Sequence, residues 1–326
     1  METAANYYYR KRYGRGFQYF DAEHSKVLCP KQLKRFKTLA VPPMWNEVQI
    51  ARSPSSKVQA TGRDARGRKQ YIYSDAWQRT QQRKKFAKML KFSAQLPSIR
   101  QHCINIVGAS VSFDKQHVLA TMVGILDDTG IRIGNQRYTQ ENQTHGLTTL
   151  RRKHLSDTQD CLALRFVGKS GKAREVTIED QSLIEHIKAF AAQPGYNLFR
   201  YKNSQNKWQD VCSEDINEFI KCCMDEDFSA KDFRTWFASC LAVDSYYRLQ
   251  AKLHKSRKTP ENQVLSSVSK ILGNTVAICK AYYVHPQILD KIANNKMPKL
   301  NTSSLSDEAE DASLSELELL TMKLIN

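Results

Sequence analysis

Four spacings in this chain are where catalytic chemistry would first be sought: Asp127-Asp128, Gly168-Lys169-Ser170, Cys222-Cys223 and Tyr282-Tyr283. Paired aspartates can hold a divalent metal, but no third carboxylate or histidine lies near Asp127 and Asp128. They are expected to form the turn before Thr129-Gly130. Gly168-Lys169-Ser170 imitates the end of a phosphate-binding loop, yet that loop needs a glycine where Ala163 stands, and it must open a helix. Strand-like residues flank it on both sides, so it reads as a hairpin turn. The eight cysteines contain no C-x-x-C pair and are expected to be reduced thiols rather than disulfides or zinc ligands. With neither an ATP site nor a metal site in view, chemistry here would rest on positioned cations and a covalent nucleophile. Tyr282 and Tyr283, as helical neighbours, would point about 100° apart, so only one can face a given phosphate.

Four segments supply such parts. They are Arg132-Ile133-Gly134-Asn135-Gln136-Arg137-Tyr138 followed by His145-Gly146-Leu147-Thr148-Thr149-Leu150; Phe166-Val167-Gly168-Lys169-Ser170-Gly171-Lys172; Lys231-Asp232-Phe233-Arg234-Thr235-Trp236; and the run from Gly273-Asn274-Thr275 to Ala281-Tyr282-Tyr283-Val284-His285-Pro286. Upstream lies Ala60-Thr61-Gly62-Arg63-Asp64-Ala65-Arg66-Gly67-Arg68-Lys69-Gln70-Tyr71. In this order, from about Tyr13 to Asp290, these segments resemble the type IB DNA topoisomerases, in their small bacterial, poxvirus and large-virus branch.

The resemblance implies a site. Tyr283, directly before an apolar residue and His-Pro, matches the nucleophile better than Tyr282. Arg132 and Arg234 match two arginines that stabilise the attacked phosphate, and Lys169, rather than Lys172, matches a general acid on a hairpin tip. Asn274 stands where poxvirus relatives and many tyrosine recombinases carry a histidine; the bacterial-like branch commonly has asparagine. Asn274 can hydrogen-bond a non-bridging oxygen, and it can equally cap the next helix. Lys231, Gln70, Tyr71, Tyr73 and Tyr138 are expected to contact DNA or to support the site.

The residue types suit that chemistry. A phosphodiester attacked in line accumulates negative charge on its non-bridging oxygens, which planar, permanently charged guanidinium groups can neutralise. The leaving 5′-oxygen needs a proton, which a lysine can give. A tyrosine, with an ordinary pKa of about 10, needs neighbouring cations to become a competent nucleophile. What the resemblance implies is relaxation of supercoiled duplex DNA through a 3′-phosphotyrosyl intermediate, without ATP, cofactor or obligatory metal. The runner-up is a tyrosine recombinase; from another class, a non-catalytic DNA-binding protein.

These residues need elements to hold them. Val48 to Ile50, Lys57 to Thr61 and Lys69 to Tyr73 are strand-like runs separated by Ser53-Pro54-Ser55-Ser56 and by Gly62 to Gly67. Alternation would place Tyr71 and Tyr73 on one face. Trp77 to Leu96 reads as a basic helix ending before Pro97, with a domain boundary near its middle. Gln116 to Met122 and Leu162 to Ile178 look like strands, the latter a hairpin. Helices are expected from Ser182 to Ala192, after Ser213, after Ser229, from Thr259-Pro260 to Gly273, and from Asn274-Thr275 to about Tyr283. The fold expected is α+β. A small β-rich DNA-clamp domain (1–90) precedes a larger, mainly α-helical catalytic domain (91–300) with a small sheet, and the two would close around duplex DNA. An acidic C-terminal tail (301–326) follows, helical over Leu314 to Leu324. It is read as solubilising, with an autoinhibitory DNA mimic as the alternative.

Charge agrees with a polyanionic partner. The formal net charge is +17, and residues 1–100 hold 22 Lys or Arg against 6 Asp or Glu, a difference of +16. Basic and aromatic residues interleave there, as in Tyr7 to Tyr13 and Arg68 to Tyr71, which suits a phosphate backbone. No apolar run reaches the ~18 residues of a membrane span, and the N-terminus lacks the pattern of a signal peptide. The expectation is a monomer that works on duplex DNA in the cytoplasm, on a bacterial chromosome or in a viral setting.

Overall fold

The computed structural model describes residues 6–108, 110–157, 161–251, 257–299 and 312–326. The chain divides into two compact units, Met1–Lys85 and Phe86–Asn326.

In the first unit, β1 (Tyr7–Tyr13), β2 (Gly16–Phe20), β3 (Asn46–Ala51), β4 (Val58–Arg63) and β5 (Lys69–Tyr73) form one antiparallel sheet in the order β2-β1-β3-β4-β5. Helix α1 (Pro30–Thr38) contributes Phe36, which packs with Tyr8, Val48, Ile50 and Ala60 in a small core. A core this size needs polar support. Arg10 donates to the carbonyls of Val41, Pro42 and Trp45, pinning the loop after α1. The β4–β5 turn is fixed by Asp64, whose carboxylate takes the backbone N–H groups of Arg66 and Arg68 and the side chains of Arg68 and Gln70.

Helix α2 (Asp75–Ala87) carries the chain across the boundary after Lys85. The second unit is mainly helical. Its helices are α3 (Met89–Val107), α4 (Lys115–Thr129), α5 (Gln136–Asn142), α6 (Gln181–Ala191), α7 (Ser213–Met224), α8 (Ala230–Ala251), α9 (Pro260–Leu272), α10 (Val276–Tyr282), α11 (Pro286–Ala293) and α12 (Glu316–Ile325). A three-stranded antiparallel sheet orders β6 (Leu155–Asp157), β7 (Leu162–Val167) and β8 (Ala173–Ile178). The strands β9 (Arg200–Lys202) and β10 (Trp208–Asp210) pair separately. Helix α8 runs through the core and buries Phe233, Arg234, Trp236, Ala238 and Val243, among others. The expected α+β arrangement, a β-rich first part followed by a mainly helical second, is the one found.

Several local expectations are corrected. Gln116 to Met122 is helical, not a strand: it lies in α4, where apolar residues are buried on every side and alternation carries no information. Asp114 caps that helix through the N–H of His117, and Gly130 ends it in the left-handed region (φ 56°). Asp127 and Asp128 therefore occupy its last turn rather than a loop, and Asp127 pairs with Arg100 at 2.6 Å. The basic helix is two helices, and Pro97 lies inside α3 instead of ending it. A proline within a helix costs about 3 kcal/mol, which burial of Phe92, Leu96 and Ile99 around it can exceed. Ser213 is the first residue of α7, not its cap; Cys212 takes that place, its N–H bonded to Asp215. Thr275, not Asn274, caps α10.

The C-terminal segment departs furthest from its reading. Asp307, Glu308, Glu310 and Asp311 lie outside the described residues. Beyond them, however, α12 is no solubilising tail. Leu317, Thr321, Leu324 and Ile325 are buried, and Glu318 accepts from Arg100 and from the indole of Trp236 at 2.9 Å.

Candidate active site and nucleic-acid face

Arg132 follows the left-handed end of α4 on an extended segment that pairs with the Gly146–Thr148 stretch. Leu147 and Thr148 donate to the carbonyls of Arg132 and Ile133 at 2.8 and 2.7 Å. A Cβ on Gly146 would come within 2.6 Å of the Arg132 carbonyl and of Gly134, so glycine is what lets these two strands of chain close. His145 donates its N–H to the carbonyl of Val167 and thus ties this segment to the β7–β8 hairpin.

Arg234 lies on the second turn of α8 and is only 4% exposed. A buried guanidinium ordinarily needs a carboxylate. Here its partners are backbone carbonyls: Gly130, just before the Arg132 segment, and Leu272 at 2.6 Å, at the end of α9. Its Nε is buried without a partner among the described residues. The positive charge is thus fixed in direction yet not neutralised.

The chain after α9 completes the cluster. Gly273 (φ 62°) ends that helix, and Asn274 Oδ1 accepts from the Arg132 guanidinium. The Asn274 amide nitrogen is buried, meets no nitrogen or oxygen acceptor, and faces the Cys279 thiol. Tyr283 ends α10, and its half-buried ring centroid lies 5.1 Å from the Arg234 guanidinium carbon. Ser239, on the same helix as Arg234, fixes the segment of Tyr283 to His285 from behind. Its hydroxyl donates to the Thr235 carbonyl at 3.0 Å, accepts the His285 N–H at 3.1 Å and lies 3.4 Å from the Tyr283 carbonyl. Tyr282, by contrast, is 39% exposed.

Electrostatics follow from this packing. Burial alone would raise the Tyr283 pKa; Arg234, Arg132, the hydrogen-bonding reach of Arg234 and Lys231 together bring it below the ordinary phenol value. Arg234 is lowered in turn, first by burial and then by Arg132, with Tyr283 opposing. The cluster stores positive potential around a phenol, an arrangement suited to a transferring phosphate.

The remaining expected residues are less closely gathered. Lys169 stands exposed on the hairpin turn between β7 and β8, where Ser170 is left-handed (φ 67°). It makes no hydrogen bond or ion pair among the described residues. Lys172, its competitor, is close enough for its charge to act on Cys279. Lys231 is exposed on the first turn of α8, and its charge reaches Tyr283. Tyr138, 57% exposed on α5, makes no hydrogen bond or ring contact with the cluster.

The sequence reading missed Arg174. From β8 it donates to the carbonyls of Lys270 and Ile271 at the end of α9, and a Cβ on Gly273 would strike it. It so joins the Lys169 hairpin to the chain that leads to Asn274. Burial and the nearby charge of Arg132 lower its pKa. An arginine at an alternating strand position carries no sequence signal for such a long-range contact.

In the first unit, Tyr71 and Tyr73 share a face as alternation implied, with stacked rings 6.1 Å apart. Trp77, at the start of α2, extends the stack at 4.3 Å from Tyr73 and was not foreseen; its four-residue spacing across the strand–helix junction was the available signal. Lys57 lies over Trp77 and Lys69 over Tyr71, while Tyr71 remains 46% exposed. Gln70 turns toward Asp64. The result is an aromatic ladder edged by cations rather than a sheet core. No helix of the described residues is long and apolar enough to cross a membrane, and no group of three potential metal ligands occurs among them.

Residues 74–309 match the family model described as eukaryotic DNA topoisomerase I, catalytic core, and residues 16–64 match that of the bacterial DNA topoisomerase IB N-terminal domain. The chain is 30% identical over 301 residues to a DNA topoisomerase 1B of Acanthamoeba polyphaga mimivirus, covering 88% of both. It is 22% identical over 253 residues to DNA topoisomerase 1B of Vaccinia virus, 76% of each. A DNA topoisomerase 1 of Mycosarcoma maydis is 27% identical over 194 residues, which are 53% of this chain and 19% of that one.

Proposed function

Because this chain belongs to the type IB DNA topoisomerases, a family of enzymes, we propose that it relaxes supercoiled duplex DNA by transient single-strand cleavage at Tyr283. The observation that carries this reading is the un-neutralised Arg234 guanidinium held against the Tyr283 ring, with the Arg132–Asn274 pair in the same cluster.

The phenol, made more acidic by these cations, gives its proton to solvent water and attacks the phosphorus in line. Arg132 and Arg234 neutralise the charge that develops on the non-bridging oxygens, and Asn274 orients Arg132. As the Tyr283 O–P bond forms, the P–O5′ bond breaks and Lys169, on its hairpin, protonates the leaving oxygen. The products are a 3′-phosphotyrosyl linkage and a free 5′-hydroxyl. One phosphodiester replaces another, so reversal reseals the strand without ATP, after rotation has released supercoils. Neither a cofactor nor an obligatory metal has a part in these steps. Lys231 and the ladder of Tyr71 and Tyr73, with Gln70, contact the duplex, and the protein acts as a monomer wherever its DNA lies, in the cytoplasm or in a viral setting.

The test is incubation with negatively supercoiled plasmid in EDTA without ATP. A ladder of relaxed topoisomers is expected, and denaturant should trap a covalent complex whose DNA-linked peptide contains Tyr283. Linkage at Tyr282, or recombinant products that need two specific sites, would overturn the assignment.

A further inference from the structure

Behind the catalytic cluster, within the second unit, α3, α4, α8, α12 and the start of α6 line an open cavity of about 650 Å3. Small-molecule sites typically span about 300–1,000 Å3. Its apolar wall is made by Ile104, Val107, Val123, Leu183, Phe237 and Leu241. Its polar lining is acidic, an unexpected sign in a chain of net charge +17: Asp127, Asp128, Asp180, Asp244 and Glu318 surround it against one cation, Arg100.

Most of these carboxylates are already engaged. Arg100 holds Asp127 and Glu318, Arg248 holds Asp244, and Asp180 caps α6 through the Leu183 N–H. Asp128 has no hydrogen bond or ion pair among the described residues. It also sits on the last turn of α4, where the helix dipole disfavours negative charge. Asp128 is exposed at the rim of the cavity, and the partial loss of hydration beside the wall, then Asp127, Asp180 and Glu179, push its pKa up to about 6. A polyanion would be repelled from this lining, and a purely apolar ligand would leave Asp128 as it is.

We propose that this cavity is a binding site for a small amphiphilic cation, an arylalkyl ammonium in chemical class, with its ring against Phe237 and Leu241 and its ammonium on Asp128. The site abuts the catalytic cluster. Gly130, two residues after Asp128, gives its carbonyl to Arg234, and a Cβ there would meet the Phe237 ring. An occupant would therefore bear on the backbone that aims Arg234, and on α12, which supplies Leu317 to the wall.

The probe is 4-phenylbutylammonium, titrated into the full chain without DNA and followed by ligand-observed NMR, with 4-phenylbutanol and 4-phenylbutyrate as neutral and anionic counterparts. The amine should bind at least about tenfold more tightly than the alcohol, the size of one charge-assisted contact, and the carboxylate should bind weakest. Asp128→Asn should erase the preference for the amine. Asp128→Lys, which places an ammonium in the cavity, should abolish amine binding, as should Ile104→Trp, which fills the mouth. Circular dichroism identifies any variant that fails to fold, and Asp128→Asn, at a helix end, keeps the test decisive. Equal binding of amine and alcohol, no binding of the amine, or unchanged binding to Asp128→Lys would each overturn the proposal. Because no DNA is present, failure here leaves the cleavage reading untouched.

Discussion

At the scale of single residues, the unusual feature is that Arg234 is buried on carbonyl oxygens rather than on a carboxylate. A carboxylate partner would cancel the charge that a phosphate needs; two carbonyls fix the planar fork and leave its charge available. Lysine offers one compact ammonium and cannot bridge Gly130 and Leu272. Arg234→Lys is therefore expected to slow single-turnover cleavage by about 10²–10³, equivalent to about 2.7–4 kcal/mol, with DNA affinity nearly unchanged. The second expectation concerns pH. Tyr283 has a folded pKa below that of a free phenol, so the cleavage rate should rise with pH and level off below the midpoint of an unperturbed tyrosine, about 10. Removing a neighbouring cation weakens the phenolate, so Arg132→Gln should move that midpoint upward. A pH–rate profile of suicide-substrate cleavage checks the sign; a midpoint displaced downward would contradict the electrostatic account.

At the scale of elements, what could be read from the chain was whatever local patterns decide. Thr259-Pro260 and Gly273 bounded α9, and the turn at Gly168-Lys169-Ser170-Gly171 separated β7 from β8, because capping and turn chemistry are local. Gln116 to Met122 failed because a helix buried on all sides loses its period, and Pro97 misled because packing outweighed its backbone cost. In the site, the elements bearing Arg132, Arg234, Asn274 and Tyr283 were legible through motif order. Arg174 and the Arg132–Asn274 bond were not, since they join residues 96 or more apart. The docking of α12 was hidden for the same reason: Arg100 and Glu318 are separated by 218 residues. That docking makes a prediction distinct from a solubilising tail. Leu317→Ala should lower the stability of the second unit by about 2–5 kcal/mol in urea unfolding, whereas a detached tail would give no change.

At the scale of the whole molecule, charge is divided unequally along the chain, and the proposed function makes that division testable as salt-dependent DNA binding. An excess of +16 lies within residues 1–100, and on the proposed reading that surface neutralises phosphates, while the second unit gathers the buried Arg234 and the part-buried Arg132 around Tyr283. Binding to phosphates releases counterions, so log K should fall linearly with log salt, with slope about −0.9 per phosphate neutralised on duplex DNA. Lys57 lies over Trp77 and Lys69 over Tyr71, at the edge of the aromatic ladder, and the proposed function has each neutralise one phosphate. Lys57→Gln and Lys69→Gln should each make the slope shallower by about 0.9, and together by about twice that. Tyr283→Phe, which alters chemistry without removing a cation, should leave the slope unchanged. Filter-binding or fluorescence titrations between 50 and 300 mM salt would measure all five proteins, the parent and the double lysine variant included. A parent slope near zero would show that the basic excess lies away from the duplex.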